Sequence, residues 1–364
     1  MRPQTPDEAV AALRDCAAAG RPVRPVGTGS RAGWGGSDLF ELTPINTGGL
    51  NRVLAHDVGD FTAILQAGVP LAEAQAAFAH SGQWLAVDPP PHPTAGAGTI
   101  GGLVATADSG PCRHRYGGVR DLVIGLTVAL SDGTLARSGG KVIKNVAGYD
   151  LAKLLTGSYG TLGLIVEVIV RLHPVPPATA TVVAEDSDAA RLVSTALGFA
   201  RTAGDATCLD LAWADGEGRL LIRFAGHAAL DRAKDSATQL SGVRVVDDDD
   251  PLWTDQRASQ RGELVVKVSG RPTDLSTVVA VAQRHGARLV SRVAGGLSWL
   301  NLPAGADLAA VREQLAPRAC TVLDGATTQA WPSVAPGALA LMNRVKQRFD
   351  PAGLFRPGAY VGGL

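Results

Sequence analysis

Three glycine-rich stretches are the parts of this chain most able to do chemistry. Backbone free of side chains can approach a ligand closely and turn N–H groups onto an oxyanion. The first, Gly27-Thr-Gly-Ser30, follows a short strand-like segment at residues 22–26 and adds two hydroxyl donors. On its own it reads equally as a surface turn. Gly27, Gly29 and Ala32 also satisfy the loose dinucleotide pattern G-x-G-x-x-A, which needs a helix to begin at the loop. Gly33-Trp-Gly-Gly36 follows instead, and the nearest helix pattern precedes the strand, so a nicotinamide-type Rossmann site is not expected. The second stretch, Gly98-Thr-Ile-Gly-Gly102, leads to Ser109-Gly110 and then Arg113 and Arg115, whose planar guanidinium forks suit phosphate or an electron-rich carbonyl. The third runs from Gly157 to Gly163, just ahead of an apolar strand. Three separate cradles, each beside a strand, imply one elongated ligand, better a dinucleotide than a monophosphate.

Those cradles need a scaffold. Thr5-Pro-Asp-Glu8 has an N-cap, a proline at N1 and an acid at N3, and predicts a helix with Val10, Leu13 and Ala17 on one face and a stop at Gly20. Strands are expected at 53–54, 62–67, 119–129 and 134–137, with Asp132-Gly133 as a hairpin turn, and a buried strand at 164–172. A helix is expected at 71–81. His173-Pro-Val-Pro-Pro177 interrupts both regular structures and marks a boundary. Beyond it, strand-like segments (181–184, 220–224, 263–269, 299–302) alternate with helical ones (188–203, 228–240, 275–285, 307–315), which predicts an α+β layer. Asp247 to Asp250 reads as a solvated turn, because calcium loops alternate their ligands and include a glycine. The tail is helical over 339–349 and stops at Asp350-Pro351.

Composition narrows the function. The 34 basic and 34 acidic residues cancel, so nothing favours nucleic acid as the main partner. Cys16, Cys112, Cys208 and Cys320 form no C-x-x-C pair, which removes the usual ligands of a zinc ribbon or iron–sulfur cluster and suggests a reducing compartment. His227 and His285 form no metal pattern and read as surface or helix-end residues; no metal is expected. With 46% apolar residues and no run of eighteen, the chain is expected to be globular and cytoplasmic, without a transmembrane segment; peripheral membrane association stays open.

Taken in order, the motifs resemble the vanillyl-alcohol-oxidase, or PCMH-type, FAD-binding flavoproteins. They are Pro25-Val-Gly-Thr-Gly-Ser30, Thr99-Ile-Gly-Gly102, Ser109-Gly110 with Arg115-Tyr-Gly117, Asp132-Gly133 and Gly160-Thr-Leu-Gly-Leu-Ile-Val166. Lys141-Val-Ile-Lys-Asn-Val-Ala-Gly-Tyr-Asp150 is similar to the branch acting on D-2-hydroxy acids, and the short length is most like the FAD-binding E subunit of glycolate oxidase. The resemblance covers about residues 1–175 and returns at Phe349-Asp-Pro and Phe355-Arg-Pro-Gly358. It implies an α+β protein: a two-subdomain PCMH-type FAD-binding domain over 1–176, an α+β, ferredoxin-like cap over 177–330, and a segment, 331–364, returning to the FAD domain.

The same resemblance assigns roles. Pro25, Gly27, Thr28, Gly29, Ser30 and Arg31 would hold the pyrophosphate. Thr99, Ile100, Gly101 and Gly102, with Ser109, Gly110 and Arg115, would line the flavin end, and Gly163, Ile165 and Val166 the adenine end. Thr28-Gly29-Ser30 stands where some members carry a flavin-linking histidine, so FAD is expected to be non-covalent. Arg115, Lys144 and Tyr149 are the candidates for substrate chemistry. The second half lacks the metal-spaced histidines of related D-2-hydroxy-acid dehydrogenases, and Arg356 replaces an asparagine usual near the flavin. The expectation is therefore an FAD subunit of a 2-hydroxy-acid (glycolate) oxidase complex, partnered by a larger FAD subunit and an iron–sulfur subunit. The alternatives are a self-sufficient FAD-dependent oxidase and a subunit whose FAD is structural.

Overall fold

In the computed structural model the first helix spans Pro6–Ala18. The Thr5 hydroxyl accepts Glu8 N–H at 3.2 Å, while the Glu8 carboxylate takes the N–H of Gln4 at 2.8 Å, one residue earlier than a strict capping box. Ala9, Val10, Leu13 and Cys16 form its buried stripe. The structure describes residues 1–36, 38, 40–140, 150–202, 204–240, 242–325, 327 and 329–364.

Two sheets make most of the N-terminal part, and Gln83–Trp84 pairs antiparallel with His173–Pro174 in a third, short one. Strands Val23–Val26 and Thr43–Asn46 pair in parallel, and Phe355 from the tail bridges to Val23. The second sheet is five-stranded and antiparallel, ordered Val53–Asp57, Thr62–Gln66, Leu164–Arg171, Val123–Ala129, Leu135–Gly139. Its central strand, Leu164–Arg171, is the Val- and Ile-rich run, and Leu164 and Val166 enter one core while Ile165, Val168 and Val170 enter another. One expected strand begins later than predicted. Residues Val119–Leu122 form a helical turn, because the Asp121 carboxylate caps Gly118 N–H at 2.8 Å, and extended structure starts only at Val123.

The other large layer is an eight-stranded sheet in which every pairing is antiparallel. Its strands and helices occur as two successive β-α-β-β-α-β units. The first is Thr179–Asp186, Ala189–Thr202, Cys208–Ala214, Glu217–Ala225, Ala229–Ala237, Val243–Val246; the second is Val265–Ser269, Leu275–Arg284, Arg288–Arg292, Leu297–Asn301, Leu308–Leu315, Ala319–Val322. Each is ferredoxin-like, and the units join through their second strands, Cys208–Ala214 against Arg288–Arg292. All four helices cover one face, burying Leu192, Phe199, Val279 and Val311 against alternate strand residues such as Leu209, Leu211, Ile222 and Leu300. The connection between the units, helix Asp250–Ala258, lies on the opposite, inner face, where Trp253 is fully buried and its indole N–H reaches Thr181 Oγ1 at 2.8 Å. The acidic run before this helix is not a solvated turn throughout. Asp249 is buried, pairs with Arg223 at 2.7 Å and accepts from Thr179 and Thr181.

Candidate cofactor site

A cleft runs along the first glycine loop. Its walls come from Arg24 to Ala32, from Thr99 to Thr106, and from Tyr159 to Ile165. The first two walls touch closely: a Cβ on Gly27 would lie 2.5 Å from Thr99 Oγ1, so only glycine leaves the hydroxyl in place. Thr99 in turn caps helix Ile100–Thr106 by accepting Gly102 N–H at 3.2 Å. Gly29 has φ +80°, which points the following backbone along the cleft. Peptide groups therefore supply much of the lining.

Arg31 fastens this loop. Its buried guanidinium bonds both Nε and Nη2 to Asp108 Oδ2, at 2.9 and 2.6 Å, and Nη1 also reaches Ser30 Oγ at 2.6 Å and Ala97 O at 2.9 Å. A bidentate pair removed from water holds geometry far better than an exposed one. Next to it, Trp34 lies between Arg31 and Arg261, with guanidinium carbons 5.7 and 5.2 Å from the ring centroid. Asp324 accepts from Trp34 Nε1 and from Arg261 Nη2, each at 2.8 Å, which ties the loop to the eight-stranded part.

Arg24 and Arg356 also line the cleft, and both pair with Asp38, at 3.0 and 3.1 Å. Two cations sharing one carboxylate leave net positive charge along the opening, which suits a pyrophosphate. Arg356 adopts φ 41° and donates to Tyr159 O at 3.1 Å, while burial lowers the basicity of its guanidinium and Asp38 offsets that. Tyr159 closes the far wall. Its ring meets Trp331 edge-on at 4.8 Å, and burial pushes its phenol far above the usual range.

Of the residues expected to hold the cofactor, Pro25, Gly27, Thr28, Gly29, Ser30, Arg31, Thr99, Gly101, Gly102, Gly163 and Ile165 line this one cleft. Ile100 and Val166 instead point into the cores behind it. Ser109 and Gly110 are not in the lining. Ser109 is buried, its carbonyl accepting from Gln260 Nε2 at 3.3 Å, and Gly110 is wedged against Asp88. Arg115 is exposed and outside the cleft. Lys144 and Tyr149 lie outside the described residues. His227 is exposed and His285 follows a helix end; among the described residues no cluster of metal-ligating side chains occurs. Sequence reasoning missed Arg24, Trp34 and Tyr159, while the resemblance already set Arg356 near the flavin. Only the unusual arginine in Phe355-Arg-Pro carried a signal.

The inner face of the eight-stranded sheet has a different character. Asp210 pairs with Arg292 and accepts from Gln256 at 3.0 Å, and Arg292 also bonds Gln260. Burial pushes the Asp210 carboxyl up to about 6, against the pull of Arg292, and Asp88 nearby is raised for the same reason. Lys267 alternates with Val266 and Val268 of the outer core and so faces inward, opposite Trp299 in the ladder. Burial draws its ammonium below the ordinary lysine range, Asp108 opposes this, and Arg113 reinforces it.

Residues 1–139 match the family described as FAD binding domain. The chain is 39% identical over 127 residues to glycolate oxidase subunit GlcE of Escherichia coli, covering 35% of this chain and 36% of that protein. It is 32% identical over 282 residues to glycolate oxidase subunit GlcD of Bacillus subtilis, covering 73% and 54%. A solved structure of alkyldihydroxyacetonephosphate synthase superposes with a TM-score of 0.71 at 17% identity, over 98% of this chain and 75% of that one, and shows the shared fold. The chain thus spans about half the length, or less, of the curated relatives named here. The fold and the glycine-walled cleft define a flavin-dinucleotide-binding protein. Its N-terminal part, residues 1–139, is an FAD-binding domain of the PCMH type, followed by an eight-stranded layer of two ferredoxin-like units.

Proposed function

We propose that the chain is the FAD-holding subunit of an oxidoreductase complex acting on a 2-hydroxy acid of the glycolate or D-lactate kind. Residues 1–176 with 331–364 would hold FAD without a covalent bond, and 177–330 would form the cap. The observation that carries this reading is the continuous cleft walled by Gly27–Ser30, Thr99–Gly102 and Gly160–Ile165, with Arg24 and Arg356 at its edge. Similarity to the two glycolate oxidase subunits supports the choice of substrate class.

Bound FAD would supply a two-electron acceptor for the substrate carbon. The chain's own contributions are physical. Peptide N–H groups and the two arginines neutralise the pyrophosphate. The Arg31–Asp108 pair keeps the first loop against Ala97, and Trp34 with Arg261 and Asp324 closes the joint to the cap. Lys267 faces inward opposite Trp299, and burial weakens its basicity. The candidates Arg115, Lys144 and Tyr149 remain to be tested. The cap's inner face, filled near Trp253 and Gln256, supports a division of labour in which a larger flavoprotein and an iron–sulfur subunit complete electron transfer.

The test is anaerobic reduction of the purified yellow chain by glycolate or D-lactate, followed by absorbance. Flavin that is released by acid, and that bleaches only with co-expressed partners, supports the proposal. Bleaching by the isolated chain favours a self-sufficient dehydrogenase. A colourless protein that takes up no FAD sinks both. The packed inner face favours one second reading, structural FAD, and flavin that stays oxidised with substrate inside an active complex would select it.

A further inference from the structure

Cys112 and Cys208 are free thiols whose sulfurs stand 3.9 Å apart, although 96 residues separate them in the chain. Cys112 sits in the FAD-binding part, just before the short helix Arg113–Tyr116, and its N–H is held by Asp88 Oδ1 at 3.0 Å. Cys208 begins a cap strand and faces inward. Val183, Leu221 and Trp253 enclose the pair. Neither lines the cofactor cleft. Cys112 does line a separate, open cavity, bounded by Trp84, Tyr116 and residues 175–179 where the chain crosses to the cap. Cys208 is absent from that lining and is fully buried. A small neutral solute entering the cavity meets Cys112 first, with Cys208 next to it.

We propose that Cys112 and Cys208 form an oxidative cross-linking site, at which a peroxide admitted through this cavity joins the FAD-binding part to the cap by an intrachain disulfide. In the first step the Cys112 thiolate sulfur attacks one peroxide oxygen and the O–O bond breaks. With hydrogen peroxide the leaving hydroxide takes up a proton to become water, and Cys112 becomes a sulfenic acid. The Cys208 sulfur then displaces that hydroxyl as a second water, losing its proton. Two thiols thus lose two electrons and two protons, and one peroxide becomes two waters. The sulfurs must close from 3.9 Å to the roughly 2.05 Å of an S–S bond. The other two thiols are placed differently: Cys16 lies in the first core, 3.8 Å from Met1 Sδ, and Cys320 in the outer core of the cap.

The groups facing the pair are Asp88, Tyr116 and Arg223. The contact with Cys208 raises the Cys112 thiol well above its ordinary range, and burial and Asp88 add to that. Because the thiolate is the nucleophile, the reaction is slow near neutrality and accelerates with pH.

The test uses the folded, flavin-loaded chain, treated with hydrogen peroxide at pH 7.0 and 8.5. Free thiols are then blocked under denaturing conditions and non-reduced peptides mapped by mass spectrometry. The expected product is a linked Cys112–Cys208 peptide, formed at least tenfold faster at the higher pH and cleaved by dithiothreitol. Closing a loop of this length raises Tm by about 5 °C. In Cys208→Ser, a dimedone adduct should mark Cys112; in Cys112→Ser, Cys208 should stay a thiol. Mapping of the wild-type chain decides the matter even if a variant folds poorly. Two free thiols after treatment at pH 8.5 would overturn the proposal, as would Cys112 over-oxidised beside a free Cys208, or a disulfide through Cys16 or Cys320.

Discussion

The cofactor cleft and the inner face of the eight-stranded sheet adjoin at Arg31, Trp34 and Ser109, and each solves a polar problem in its own way. Along the cleft, peptide groups lie beside glycines such as Gly27 and Gly29, among side chains including Arg24, Thr28, Ser30 and Arg356. On the inner face the polar groups are mostly side chains, spent on one another and on one peptide: Asp210 on Arg292 and Gln256, Arg292 on Gln260, and Gln260 on the Ser109 carbonyl. Backbone donors cannot rotate away or titrate, so a site made of them waits unchanged for its ligand. The side chains of the inner face hold each other, while Asp210 Oδ1, Gln256 Oε1 and Arg292 Nε keep no hydrogen-bond partner among the described residues. The contrast teaches that one half of the molecule is preorganised for a fixed guest, while the other is organised around its own charges.

Breaking the buried clamp should have the largest effect. Arg31→Met leaves Asp108 buried and unpaired, with an expected stability loss of about 3–5 kcal/mol and a fall of more than tenfold in bound flavin. Chemical denaturation and the flavin-to-protein absorbance ratio measure both. If flavin content holds, Arg31 does not organise the cleft.

The inner face can be probed through pH. The raised carboxyl of Asp210 means that the folded state holds a proton more tightly than the unfolded chain does. Its favourable contribution is full below about pH 4 and is lost as pH rises through about 6. A shift of about 2 units corresponds to ~3 kcal/mol. Asp210→Asn should flatten that part of the stability-versus-pH curve, followed by Tm between pH 4 and 7.5. Parallel curves for the two proteins would show that the network does not titrate.

Gly27→Ala sharpens the same comparison from the cleft side. Forcing Thr99 aside should cost roughly 1–3 kcal/mol and appear mainly as weaker FAD binding, about 5- to 100-fold by titration. The smallest effect is expected at Arg115→Ala. This side chain is exposed and outside the cleft, so stability should change by less than about 0.5 kcal/mol and flavin affinity should stay the same.

What the sequence disclosed follows the same division. Glycine loops are conspicuous because few other residues tolerate close backbone approach, so most of the cleft was readable, as were the strand at Leu164–Arg171 and all four outer helices of the cap. Four cap strands were not: Cys208–Ala214, Val243–Val246, Arg288–Arg292 and Ala319–Val322. Asp210 and Arg292 interrupt two of these runs with charges that only tertiary pairing makes tolerable, and the other two are four-residue strands. Helix Asp250–Ala258 hid behind its acidic start for the same reason, since Asp249 finds Arg223 only once the sheet exists. Local pattern reveals residues whose partners are near in the chain or are solvent. It is silent where a distant side chain makes the difference.

The pairing of Asp38 with Arg356 spans 318 residues, and Val23 meets Phe355 across a similar distance. One wall of the cleft therefore depends on segments from opposite ends of the chain. Until Arg356 is made this wall is incomplete, and loop closure over such a separation is slow. Flavin capture should accordingly follow the making of the residues around Arg356 rather than guide earlier folding, which would make uptake of colour a signal that synthesis has passed them.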